Sequence, residues 1–275
     1  MTTAPLNAPP RTLDALVEIM ARLRDPETGC PWDVTQTHRS IARYALEEAY
    51  EVVDAIERDD DRDLCEELGD LLLQVVFHAQ MAKERGAFTL EDVLDSISTK
   101  MIRRHPHVFG AAAQRSAEGQ ATAWEDHKAA ERAAKGKDAS VLDDVPLTLP
   151  ALTRAEKYCK RAARLGFNWP TPDAVLEKLH EEIAEVEEAL ATGDEAAIAD
   201  EIGDVLFTVT TLTQHLGLHA EDILRGGNQK FARRFGHIER QVQRSGRGWD
   251  DHRLEELEAY WQDAKRVERE TMNGG

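Results

Sequence analysis

One acidic pattern occurs twice in this 275-residue chain, at a step of 134 residues. The first copy is Glu47-Glu48-x-x-Glu51 followed by Glu67-Leu-Gly-Asp70; the second is Glu181-Glu182-x-x-Glu185 followed by Glu201-Ile-Gly-Asp204. Residues three or four apart share one face of a helix, so each segment presents its carboxylates together. Both copies lie within helix-period apolar stripes. Ile41, Ala45, Ala49, Val52, Val53 and Ile56 mark one face, and Leu64, Leu68, Leu71, Leu72, Val75, Val76 and Ala79 mark the next. Leu176, Leu179, Ile183, Val186 and Leu190 repeat the first stripe. Ile198, Ile202, Val205, Leu206, Val209 and Leu212 repeat the second. The turns Arg58-Asp59-Asp60-Asp61-Arg62 and Thr192-Gly193-Asp194 separate the stripes, so each copy reads as an antiparallel helical hairpin. Strand signals are almost absent. The expectation is an all-α fold, a tandem repeat of helical units with four-helix-bundle-like sites.

Charge beside an apolar stripe is costly unless something neutralises it. Four converging carboxylates repel one another, and some stay protonated unless cations sit among them. Hard divalent cations with oxygen ligands suit such a set, Mg2+ first and Mn2+ next. Gly69 and Gly203 hold equivalent mid-helix positions at a propensity cost of about 1 kcal/mol each. That cost predicts a close helix approach or room for a ligand.

The repeat extends past the acidic residues. Glu91-Asp92-Val93-Leu94 matches Glu221-Asp222-Ile223-Leu224 at a step of 130, and Lys100 and Arg104 match Lys230 and Arg234 at the same step. Trp124 and Lys128 match Trp261 and Lys265 at a step of 137. Lys230 and Arg234 share a helix face and can grip phosphate oxygens, Arg as a fork and Lys as a point charge. Trp261 offers a flat face for a base, with Lys265 one turn on. The copies also differ. Asn228 precedes Lys230 where the first copy has Ser98, and His105-Pro106 follows Arg104 only in the first copy. The first pocket is therefore expected to differ in shape.

The expected organisation is a tail at 1–10, a first unit at 11–132, a linker at 133–150 rich in Ala, Lys, Asp and Pro, a second unit at 151–267, and a tail at 268–275. A stretch from Gly110 to Gln120 reads as an irregular loop. The formal net charge of −18 argues against a nucleic-acid polymer as partner. Cys30, Cys65 and Cys159 are odd in number and lack CxxC spacing, which predicts free thiols in a reducing compartment. No apolar run is long enough for a bilayer, and the first ten residues do not resemble a signal peptide. A cytoplasmic protein without membrane partners is the expectation. The histidines His38, His78, His105, His107 and His215 form no Glu-x-x-His pair with the motif carboxylates and read as ordinary polar or capping residues.

Several longer strings add to the acidic motifs: Gly29-Cys30-Pro31-Trp32-Asp33, Gly69-Asp70-Leu71-Leu72, Arg104-His105-Pro106-His107-Val108-Phe109-Gly110, and Lys160-Arg161-Ala162-Ala163-Arg164-Leu165-Gly166-Phe167. With them the chain resembles the MazG family of nucleoside triphosphate pyrophosphohydrolases in its two-domain bacterial form, over roughly 11–132 and 151–267. The resemblance implies a homodimer and Mg2+-dependent hydrolysis of NTP or dNTP to the monophosphate and pyrophosphate, credited to the C-terminal unit. It also implies metal ligands Glu182, Glu185, Glu201 and Asp204, with Glu48, Glu51, Glu67 and Asp70 as the second set. Substrate contacts carried over are Lys178, Lys230, Arg234, Trp261 and Lys265, with Lys100, Arg104, Trp124 and Lys128 as the second set. Glu181 and Glu188 are the candidates for a general base beside the second site. Two other readings stay open: a di-iron carboxylate bundle, which would use Glu-x-x-His pairs absent here, and a non-enzymatic helical scaffold.

Overall fold

A computed structural model describes residues 12–110, 116, 119–120, 123–124 and 140–273. Among these residues all regular structure is helical. The chain divides into two units, Met1–Ala130 and Glu131–Gly275.

In the first unit, α1 spans Leu13–Leu23, α2 Pro31–Thr35, α3 His38–Glu57, α4 Asp61–Glu84, α5 Leu90–Arg104 and α6 Pro106–Phe109. Polar caps start the long helices. Thr12 accepts from the Ala15 amide, Thr37 and Ser40 cap each other's backbone amides, and Thr89 and Asp92 do the same at α5. The tight α3–α4 turn forms because Asp59 adopts φ 53° and Asp60 accepts from the Asp63 amide. Arg58 clamps that turn by pairing with Asp54 and Asp63. The core gathers Met20, Ile41, Val76, Phe77, Met81 and Leu90, where α1 and α5 close on α4. Arg24 is locked between the Glu84 carboxylate, at 2.7 Å, and the Asp33 carbonyl, which ties α1, α2 and α4 together.

In the second unit, α7 spans Ala151–Arg164, α8 Pro172–Thr192, α9 Glu195–His215, α10 Ala220–Ser245 and α11 Leu254–Asn273, with a single 3-10 turn at Trp249–Asp251. Thr171 caps α8 ahead of Pro172. Gly193, at φ 72°, stops it, and Asp194, the next residue, caps α9. The α8–α9 hairpin lies on α7, and α10 packs on α7 and α11.

The apolar stripes are placed on helices as expected, but burial follows them only in part. Leu68, Leu72 and Val75 on α4 and Ile202, Leu206 and Val209 on α9 stay exposed. The α9 face turned to α7 buries Thr208, Thr210 and Thr211 instead. Threonine is tolerated there because Thr210 and Thr211 donate to the Leu206 and Phe207 carbonyls, and Thr211 also meets the Cys159 thiol at 3.3 Å.

Two expected boundaries shift. Residues 140–150, read as linker, are fastened to α7: Val145 is buried, Arg161 donates to the Val141 carbonyl and Arg154 to the Leu147 carbonyl. Residues 268–273, read as tail, continue α11, because Glu268 reaches back to Arg234 and Glu270 pairs with Arg266. The expected N-terminal tail at 1–10, Lys128, residues 133–139 and most of the Gly110–Gln120 loop lie outside the described residues. The three cysteines are free thiols, as expected. No helix among the described residues is long and apolar enough to cross a membrane.

Candidate functional site

Helix spacing puts the carboxylates on facing sides of two hairpins. Glu48 on α3 meets Glu67 and Asp70 on α4, and Glu182 on α8 meets Glu201 and Asp204 on α9. In each triad the ligand oxygens lie within 4.8 Å of one another. The triads share one gradient of exposure: the α3 or α8 glutamate lies deepest with its α4 or α9 glutamate partner, and the aspartate faces solvent. Each expected set of four is thus a tight set of three. Glu51 and Glu185 stand outside the triads and hydrogen bond to Glu48 and Glu182. A bond between two carboxyl groups needs a proton. Accordingly Glu185 is pushed above the usual carboxylate range, first by its bond to Glu182. Burial and then the Asp70 charge push Glu48 up, and burial and then Glu51 push Glu67 up. Such sets are stable only with protons or cations among them.

Lys178 reaches the second triad through Glu182. Its Nζ lies 2.7 Å from Glu181, 3.0 Å from Glu182 and 3.9 Å from Glu185. Glu181 and then Glu182 hold the ammonium above its usual range. Glu188 is exposed further along α8. Neither Gly69 nor Gly203 faces a close helix: a Cβ at either would meet nothing within 4 Å. Among the described residues the close helix approach is absent, and of the two expected readings the open space at both glycines fits room for a ligand.

The second group of expected residues lies on the α10–α11 hairpin. Arg234 donates through Nε to Glu268 at 2.8 Å, and its guanidinium carbon stands 5.5 Å from the Trp261 ring centre. Lys230 is exposed one turn before Arg234, and Lys265 is half-buried one turn after Trp261. Three aromatic residues not singled out from the sequence complete this surface. Phe231 packs on Trp261 at 5.4 Å and on Phe235 at 5.8 Å, and Phe235 stacks on Trp249 at 5.6 Å. With Ile238, Leu254, Leu257 and Glu258 they line a groove of about 520 Å3. The one sequence signal for them is Phe231 and Phe235 at helical spacing beside Lys230 and Arg234.

In the first unit the equivalent surface is built differently. The Arg104 guanidinium carbon is 4.5 Å from the Trp124 ring centre, and Arg104 is buried. The His105 ring covers another side of Trp124 at 5.6 Å. Pro106 has no amide hydrogen and disfavours helical backbone in the residue before it, so α5 ends at Arg104. By contrast α10 continues past Arg234 to Ser245. Lys100 precedes Arg104 on α5.

Comparison with known proteins agrees with this arrangement. A model of the MazG nucleotide pyrophosphohydrolase domain matches residues 36–109 and 170–238, which hold both triads. A nucleoside triphosphate pyrophosphohydrolase of Escherichia coli K12 is 50% identical over 258 residues, covering 93% of this chain and 98% of that protein. A Thermotoga maritima protein named nucleoside triphosphate pyrophosphohydrolase/pyrophosphatase MazG is 42% identical over 252 residues, covering 92% and 95%. A Mycobacterium tuberculosis nucleoside triphosphate pyrophosphohydrolase is 43% identical over 156 residues, covering 56% of this chain and 46% of that protein. With two matched segments, each built around a carboxylate triad between paired helices, this chain belongs to the MazG nucleotide pyrophosphohydrolase family.

Proposed function

We propose that the chain hydrolyses nucleoside triphosphates, ribo or deoxy, to the monophosphate and pyrophosphate, with Mg2+ held in the second unit. The observation that carries this reading is the triad of Glu182, Glu201 and Asp204, three carboxylate oxygens within 4.8 Å of one another with Glu182 buried at the middle of α8. Its relatives bear the name nucleoside triphosphate pyrophosphohydrolase. An all-oxygen donor set fits Mg2+ or Mn2+ better than the Glu-x-x-His sets of di-iron bundles. Glu185 would complete the set from its place beside Glu182. When bound, the ion supplies Lewis-acid polarisation of the phosphate oxygens and lowers the pKa of water.

The chain's own groups supply the rest. Lys230 and Arg234 bind phosphate oxygens and offset the charge that grows on the departing pyrophosphate. Glu268 holds Arg234 through its Nε, and Trp261 orients the base by stacking. Glu181, tied to Lys178, and Glu188, exposed further on, are the carboxylates suited to take the proton of the attacking water. Two copies of the chain would pair through the apolar residues left uncovered on α4 and α9.

Pyrophosphate release measured across the ribo- and deoxyribonucleoside triphosphates with Mg2+ tests this reading on the wild type, Asp70→Ala and Asp204→Ala. Asp204→Ala is expected to abolish nearly all release, and Asp70→Ala to retain most of it. Near-normal release by Asp204→Ala would overturn the assignment.

A further inference from the structure

We infer that Lys178 is an internal counterion of the second triad: a divalent cation displaces it, and the displaced ammonium turns to the triphosphate. Unit 1 has no such step. The inference rests on the metal reading above. The carboxylates of α3 and α8 keep a constant step of 134, so position 178 corresponds to 44, a tyrosine. Lys178 contacts Glu181, Glu182 and Glu185 at 2.7, 3.0 and 3.9 Å. Tyr44 instead packs against the unit-1 core, and its hydroxyl accepts from Arg43 at 2.7 Å. Among the described residues, Glu48, Glu67 and Asp70 make no ion pair, and what pushes Glu48 and Glu67 up is burial and other carboxylates.

Among the described residues, two sites with the same carboxylate triad therefore differ by one positive charge. A dication among Glu182, Glu201 and Asp204 repels an ammonium already bonded to Glu182, while the flexible four-carbon stem of lysine lets it swing away. Unit 1 binds cations tightly but gains no free ammonium. Unit 2 binds them more weakly in the absence of nucleotide, and cation and triphosphate then assist each other. That assistance is reciprocal by thermodynamic linkage.

Mn2+ binding to the full-length chain without nucleotide, followed by the resonance of free Mn2+, tests this. The wild type should show a tight and a weak class of site. Lys178→Met and Lys178→Tyr should tighten the weak class by about tenfold, an ordinary size for one coupling between sites. Tyr44→Lys should weaken the tight class. Because Tyr44 also packs in a core, the Lys178 variants carry the test if that protein fails to fold. In the wild type, Mn2+ should tighten binding of a non-hydrolysable triphosphate analogue, and Lys178→Met should remove most of that gain. Titrations of both Lys178 variants that superimpose on the wild type overturn the inference alone. No Mn2+ binding by the wild type overturns the metal reading and the inference together.

Discussion

Trp261 shows how one residue's role depends on what touches it. Its ring is flanked by Phe231 and by the Arg234 guanidinium, beside an apolar groove, whereas Trp124 is covered by Arg104 and His105. Base stacking on an aromatic residue contributes about 1–3 kcal/mol. Trp261→Ala is therefore expected to raise KM for a nucleoside triphosphate between about fivefold and about a hundredfold, with a smaller effect on kcat. Steady-state pyrophosphate release reads this out, and an unchanged KM refutes the stacking role. Gly203 makes a second residue-scale case. A Cβ there meets nothing within 4 Å, and alanine is favoured over glycine in a helix by about 1 kcal/mol. Gly203→Ala should raise the melting temperature, as a thermal scan would show.

Among the elements, α3 and α4 carry a contact that sequence spacing hides. His38 and His78 are forty residues apart, yet their rings stack and their Nδ1 atoms lie 2.8 Å apart. Arg85 approaches His38 Nε2 at 3.1 Å and can only donate, so His38 carries its proton on Nδ1 and donates to His78. Burial and then His38 hold His78 below the usual histidine range near 6.5. A group with a lowered folded pKa contributes stability that is present above its unfolded pKa and is lost as pH falls below it. The melting temperature should therefore drop between about pH 7 and about pH 5. His78→Leu should flatten that change, and an equally steep profile in the variant would refute it.

At the scale of the whole molecule, a chain of net charge −18 binds a polyanion only where local cations outweigh the overall field. The α10–α11 hairpin carries Lys230, Arg234 and Lys265, and each triad gathers carboxylates that could hold a metal ion. The duplication did not keep two equal sites: helix α5 stops at Arg104, ahead of Pro106, Tyr44 stands where Lys178 does, and His105 packs on Trp124. Uncovered apolar residues on α4 and α9 lead to the expectation of a dimer in sedimentation. Leu206→Glu, which adds a charge to that exposed face, should shift the chain towards monomer. A monomeric wild type would remove the basis for that pairing.

The repeat, the helical hairpins and the carboxylates that meet within each of them were legible in the linear chain. All depend on positions three or four apart, and that spacing dictates a shared face whatever surrounds the helix. What spacing does not carry is how far each helix rotates about its axis and which neighbour it meets. Only the tertiary structure decided that Glu48, Glu67 and Asp70, and likewise Glu182, Glu201 and Asp204, draw within 4.8 Å of one another while Glu51 and Glu185 stand aside. It alone decided that threonines fill the α7–α9 contact while leucines stay outside, and that Phe231, Phe235 and Trp249 line the groove beside Trp261. The carboxylate triads, the α7–α9 contact and the meeting of Trp249 and Trp261 with Phe231 and Phe235 join different helices, settled by packing that buries one face of a helix at the expense of another.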